Sequence, residues 1–113
     1  MTEIIVKKPR SALSVYRDVI FTKRAGLKEG QSIPRIDARS KGMRIDMGRL
    51  KRYREVCGFG LSDQLPLTYP HIMAFPLHME VMVHETFPLK AIGLVHFRNE
   101  ITELKPLNAQ MTL

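Results

Sequence analysis

Residues 65–101, LPLTYPHIMAFPLHMEVMVHETFPLKAIGLVHFRNEI, limit this chain most tightly, because four prolines and four histidines interrupt a run that is otherwise largely apolar. Pro66 and Pro70 make LPLTYP an extended or turning connector, since the residue before each proline is pushed away from helical geometry. From Ile72 to Val83 nearly every direction around a helix axis is apolar. In a globular protein that pattern predicts a helix enclosed on most sides. Pro76 would break its interior, so either regular helix begins near Phe75 with Pro76 in the first turn, or the segment is kinked there. Beyond the TFPLK turn the period changes from about 3.6 to about 2. Val95, Phe97 and Ile101 alternate with His96, Arg98, Glu100 and Thr102. That pattern predicts a strand over 91–104, about 46 Å long at ~3.3 Å per residue and so long enough to wrap a helix. KPLNAQ then reads as a turn, and MTL as the start of another strand.

Upstream, Ser11 is placed to cap a helix over about 11–25, with Leu13, Tyr16, Val19 and Ile20 on one face and Gly26 at its C-terminal end. Two extended segments, Ile33–Arg39 and Met43–Asp46, form a candidate hairpin, with Pro34 demoting the first to an edge. Asp46 can cap a second helix in which Met47, Leu50, Tyr53 and Cys57 recur every three or four residues, stopped by Gly58 and Gly60. Arg49, Lys51, Arg52 and Arg54 make the densest positive group in the chain, which a solvated helix face already explains. Residues 1–54 hold 15 Lys or Arg against 5 Asp or Glu, and residues 55–113 hold 3 against 6. The basic first half attracts anionic partners without choosing among them.

A chain of 113 residues has room for one domain and one core. Three apolar residues before a basic cluster are the reverse of a secretory signal, and the apolar segment 72–83 falls short of the ~20 residues a membrane crossing needs. The expectation is a soluble, cytoplasmic protein with no membrane partner. The single cysteine, Cys57, reads as a small buried residue near a helix end. No Cys or His cluster has metal-ligand spacing, and His71, His78 and His84 lie seven and six residues apart, so no metal is expected. GxGxxG, GKT or GKS, GxSxG and HExxH are all missing. Aromatic residues are not interleaved with the basic ones as in RNA-stacking platforms, so nucleic-acid binding is not favoured and remains the third reading.

YREVCGFG, then LPLTYPHIMAFPLHMEVM, then FPL and GLVHFRNEI occur in order over residues 53–101. This series resembles the N-terminal half of MaoC-like acyl dehydratases, a hotdog-fold family. The resemblance implies an α+β, hotdog-like fold in which a bent antiparallel sheet wraps a central apolar helix, about 74–85, with 91–104 as one wrapping strand. It places all of 1–113 in a single, partial domain. It also implies reversible dehydration of 3-hydroxyacyl (2-enoyl) thioesters carried on coenzyme A or acyl carrier protein, with no cofactor beyond that carrier. The family's acid–base pair sits in a DxNPxH-type motif, which this sequence lacks. Asp63 is followed by QLP, and no histidine stands five residues after an aspartate.

In two-repeat members that motif lies in the C-terminal hotdog, so no catalytic residue is expected here. Tyr69, His71, Phe75 and Met79 become candidates for an acyl tunnel, and Arg49, Lys51, Arg52 and Arg54 for contacts to cofactor phosphates or an acidic carrier. An incomplete sheet predicts a covering partner, either a homodimer or a C-terminal hotdog half. A non-catalytic hotdog binding or assembly module is the alternative.

Overall fold

The protein is described by a computed structural model covering residues 2–7 and 10–113. Lys8 and Pro9, part of the first basic cluster, lie outside the described residues. The elements run β1 (Thr2–Ile5), α1 (Ala12–Phe21), β2 (Ile36–Arg39), α2 (Met47–Cys57), α3 (Tyr69–Met73) and α4 (Phe75–Val83). They fall into two compact units, one made of Met1–Ser40 and Phe75–Phe97, the other of Lys41–Ala74 and Arg98–Leu113. No helix among the described residues is long and apolar enough to cross a membrane.

In the first unit β1 pairs with β2 in parallel, from Thr2 opposite Ile36 to Ile5 opposite Arg39. Parallel neighbours need a long crossover, and α1 lies within it. The Ser11 hydroxyl accepts from the Ser14 N–H at 3.3 Å and starts α1 as its sequence suggests. The helix ends sooner than expected, at Phe21, where Thr22 is extended and donates both its N–H and its hydroxyl to the Asp18 carbonyl. Gly26 has φ 79°, but it serves a loop that donates to the Pro88 carbonyl at 2.9 Å rather than the helix end.

The buried face of α1 also differs from expectation. Val15 and Val19, four residues apart, pack with Met79 of α4, whereas Leu13, Tyr16 and Ile20 are exposed. The helix carries two apolar stripes about 110° apart, and α4 covers the valine stripe. Arg10 fastens the two helices from outside, donating to Asp18 at 2.6 Å and to Glu80 at 2.8 Å. Arg24 donates to the Val83 carbonyl at 2.6 Å, filling an acceptor that the C-terminal turn of a helix leaves open.

The first of the two proline alternatives holds for α4. It begins at Phe75, with Pro76 in its first turn, where a missing N–H removes no helical bond. Enclosure is lower than the sequence suggests, since only Met79 is fully buried and Phe75 is 48 % exposed. No sheet of the described residues wraps this helix: the one sheet has two parallel strands. Residues 94–103 are not a strand, and Val95, Phe97 and Leu104 are 83, 94 and 91 % exposed. Alternation assigns side chains to faces, but a strand also needs a neighbour to accept its backbone bonds, and among the described residues no strand pairs with this segment.

The second unit is built on α2, whose boundaries match the sequence reading. Asp46 caps it by accepting from the Arg49 N–H at 3.1 Å, and Gly58 ends it in the left-handed conformation at φ 75°. Leu50, Leu65, Tyr69 and Ala109 form the core, with Ile45, Tyr53, Met73 and Leu107 packed around them. Leu65 donates to the Leu107 carbonyl at 2.7 Å, and Ala109 donates to the Asp63 carbonyl at 3.0 Å. Instead of forming a hairpin with Ile33–Arg39, the segment after Gly42 meets the chain's last residues. Met43 and Leu113 exchange backbone bonds of 2.7 and 2.8 Å, and Arg44 bridges Thr112 in antiparallel fashion. The MTL segment therefore does begin an extended pairing.

Candidate functional site

The basic group on α2 divides in two. Arg49, Lys51 and Arg52 are exposed, with Arg49 also 3.9 Å from Asp46. The Arg49 backbone N–H, donating to the Asp46 carboxylate, holds that carboxyl below its usual range. Arg54 leaves the group. It is 6 % exposed, and its guanidinium donates to the carbonyls of Gly60 at 2.9 Å, Ser62 at 2.8 Å and Gln64 at 2.9 Å. The sequence carries the reason, because Arg54 stands four residues after Leu50 and residues so spaced share a helix face. Charge alone assigned it to the solvated side, where the spacing does not. Its three carbonyl bonds fold the loop after Gly58 back onto the helix and make a buried cation tolerable.

The tunnel candidates fall in both units. Tyr69 is 5 % exposed in the second unit's core, its ring 5.1 Å from Tyr53, and burial raises its phenol pKa. His71 is half-buried on the same short helix. Met79 belongs to the first unit's core with Val15 and Val19, and Phe75 is half-exposed at the start of α4. The four do not share a core cluster.

His84 accepts the Thr86 N–H at Nδ1, 3.2 Å away, with the Thr86 hydroxyl 2.9 Å from the same atom. Glu80, four residues before it, is held by Arg10. Among the described residues no group of three or more His, Cys, Asp or Glu is arranged to hold a metal ion. Cys57 is exposed rather than buried. It lies at the last position of α2, on the side that Leu50 and Arg54 share but at the helix end beyond Arg54.

What the sequence reading missed is a depression of about 320 Å³ lined by Arg54, Phe59, Gly60, Leu61, Ser62, Gln64, Leu65 and Pro66. The signal for it was the Leu50/Arg54 spacing followed by two glycines, which brings a short loop under an inward-pointing cation.

No protein-family profile matches the chain, and no solved structure matches it. Over 63 residues, 56% of its length, the chain is 36% identical to the 3-hydroxyacyl-thioester dehydratase X of Mycobacterium tuberculosis. The aligned stretch spans only 22% of that protein. The match supports a relation to the dehydratases at this level.

Proposed function

We propose that this chain is a hotdog-like part of a MaoC-like dehydratase that acts on 3-hydroxyacyl or 2-enoyl thioesters, with the acid–base pair supplied by a second hotdog segment. The observation that carries the reading is the 36% identity over 63 residues to a 3-hydroxyacyl-thioester dehydratase. The order of motifs across residues 53–101 supports it independently of any single residue. The packing of α1 against α4 through Val15, Val19 and Met79 fits α4 as the helix that a completed sheet would cover. In this reading Arg49, Lys51 and Arg52 meet the phosphates of coenzyme A or the acidic surface of a carrier protein. The carriers share the same anionic chemistry, and the three exposed cations suit either. The partner is a second copy of the chain or the segment bearing the acid–base pair.

Hydration of a 2-enoyl-coenzyme A tests the proposal. The isolated chain gives no turnover above background, and mixing or fusing it with a hotdog segment that contains a DxNPxH-type motif restores it. Turnover by the isolated chain that disappears on replacing His71 or His96 would overturn the division of labour. The missing motif also favours a second reading, a non-catalytic hotdog module. Binding of the thioester by the chain with no gain in turnover from any motif-bearing segment would select that reading.

A further inference from the structure

The Arg54 depression belongs wholly to the second unit, and nothing in the dehydratase reading uses it. Arg54 is 6 % exposed, and its guanidinium is a cationic group with donors only. No carboxylate lies within ion-pair distance of it among the described residues; its partners are the three carbonyls of Gly60, Ser62 and Gln64. The Gln64 side chain, for its part, donates to the Glu103 carboxylate at 3.2 Å. Of the five N–H donors a guanidinium offers, three are spent on the loop. Nε–H and one hydrogen of the first terminal nitrogen have no acceptor among the described residues. Among the described residues no fully buried side-chain polar atom lacks a partner. Nε, which has no partner there, is therefore not fully buried, and Arg54 lines the depression.

The rest of the wall is mixed in a useful way. Ser62 Oγ accepts from the Gln64 N–H at 3.1 Å, which leaves its own hydrogen free to donate. Leu65, Pro66 and Phe59 supply apolar surface, and the Phe59 ring is fixed by stacking on Tyr53 at 6.0 Å and 17°. A cationic end, with Arg54 Nε–H and the Ser62 hydroxyl as donors, and an adjoining apolar wall are complementary to an amphiphile with one anionic head. The volume of about 320 Å³ is at the lower end of small-molecule sites and has room for a tail of a few carbons. We propose that this depression binds a small monocarboxylate with a short apolar tail, its carboxylate on the spare Arg54 and Ser62 donors and its tail against Phe59, Leu65 and Pro66. The inference does not depend on the dehydratase reading, and failure of one leaves the other standing.

Amide chemical shifts measured during titration with hexanoate, hexanamide and inorganic phosphate test it on the full chain. Hexanoate should shift the amides of Gly60, Leu61, Ser62 and Gln64 saturably, with a Kd on the order of millimolar for a ligand of so few atoms. Hexanamide has the same shape without the charge and should bind at least about tenfold more weakly, a difference of ~1.4 kcal/mol. Phosphate, which has no tail, should also be the weaker ligand. Leu61 is 93 % exposed at the rim, so Leu61→Glu leaves the core and the Arg54 bonds in place while tethering a carboxylate beside the site. Hexanoate shifts should disappear in that variant. Equal binding of hexanoate and hexanamide, phosphate binding as tightly as hexanoate, unsaturable shifts spread over the chain, or an L61E protein that titrates like the wild type would each overturn the proposal.

Discussion

Replacing Arg54 with methionine tests whether a buried cation or its hydrogen bonds decide the stability of the second unit. Methionine keeps most of the aliphatic stem and removes the guanidinium. The three bonds lost, at 2.8 to 2.9 Å, join a charged donor to carbonyls, a kind of bond that contributes about 1.5–3 kcal/mol each. Two effects oppose that loss. Gly60, Ser62 and Gln64 are exposed residues, so water can replace the guanidinium at their carbonyls, and burying the cation itself costs several kcal/mol that methionine avoids. The bonds still win, since among the described residues the three Arg54 bonds are what hold the loop after Gly58 to α2 through those carbonyls. The expected loss is about 2–3 kcal/mol. Arg54→Lys, able to reach fewer of the carbonyls from a single ammonium, should fall between the two. Urea unfolding followed by tyrosine fluorescence reads the effect in the relevant place, because the chain has no tryptophan and Tyr53 and Tyr69 both belong to this unit's core. Arg54→Met with wild-type stability would show that the cation's burial cancels its bonds, and the clamp argument would fail.

Leu50, at 2 % exposure the most buried large side chain of its core, should cost about 3 kcal/mol on Leu50→Ala, read by the same tyrosine signal; a loss below about 1 kcal/mol would mean the core collapses around the gap. Gly58→Ala should destabilise by about 1 kcal/mol, because its φ of 75° is left-handed, whereas Gly60→Ala, with open space at its Cβ and no positive φ, should be neutral in thermal melts. The Arg10 side chain, with smaller help from its charge, holds the Asp18 carboxyl below its usual range. A carboxylate with a depressed folded pKa contributes stability that is present above its unfolded pKa, about 3.9, and is lost as pH falls through the folded value. The gap in melting temperature between wild type and Asp18→Asn should therefore be constant from neutral pH to about pH 5 and shrink below about pH 4; a gap that widens on acidification would reverse the sign.

Local signals were legible where one residue type forces one backbone state. Asp46, Gly58 and Ser11 fix helix ends through a side-chain acceptor or a left-handed turn, and all three ends lie where the sequence puts them. Pro76 likewise confines the start of α4 to Phe75. Choices that depend on the partner were not legible. On α1 the valine stripe and the Leu13/Tyr16/Ile20 stripe are equally apolar, and only Met79 of α4 decides which is covered. β1 sits in a terminus read solely for export signals, and its parallel mate β2 lies across a helix, which no hairpin argument finds. For the candidate site, counting charge grouped Arg54 with its neighbours, while counting spacing from Leu50 would have turned it inward.

Residues 95–103 show the same limit in its sharpest form, and they also offer a way past it. Their alternation has no buried side in the isolated chain, where Val95 and Phe97 are as exposed as the polar residues between them. Apart from His96, none of their N–H groups donates to a backbone carbonyl among the described residues. Outside any strand among the described residues and rich in β-branched and aromatic side chains, the segment is a template for strand addition. If a second hotdog segment completes the sheet, as proposed, pairing should be visible as protection that appears only with that partner. Hydrogen exchange supplies an internal standard: Leu65 and Ala109 donate to the Leu107 and Asp63 carbonyls within the second unit and should exchange slowly in the chain alone. The amides of 97–103 should exchange at nearly the unstructured rate in the chain alone and slow by an order of magnitude or more once the partner is added. Slow exchange there without a partner would show that the strand already has its neighbour, and the need for a second segment to complete the sheet would fall with it.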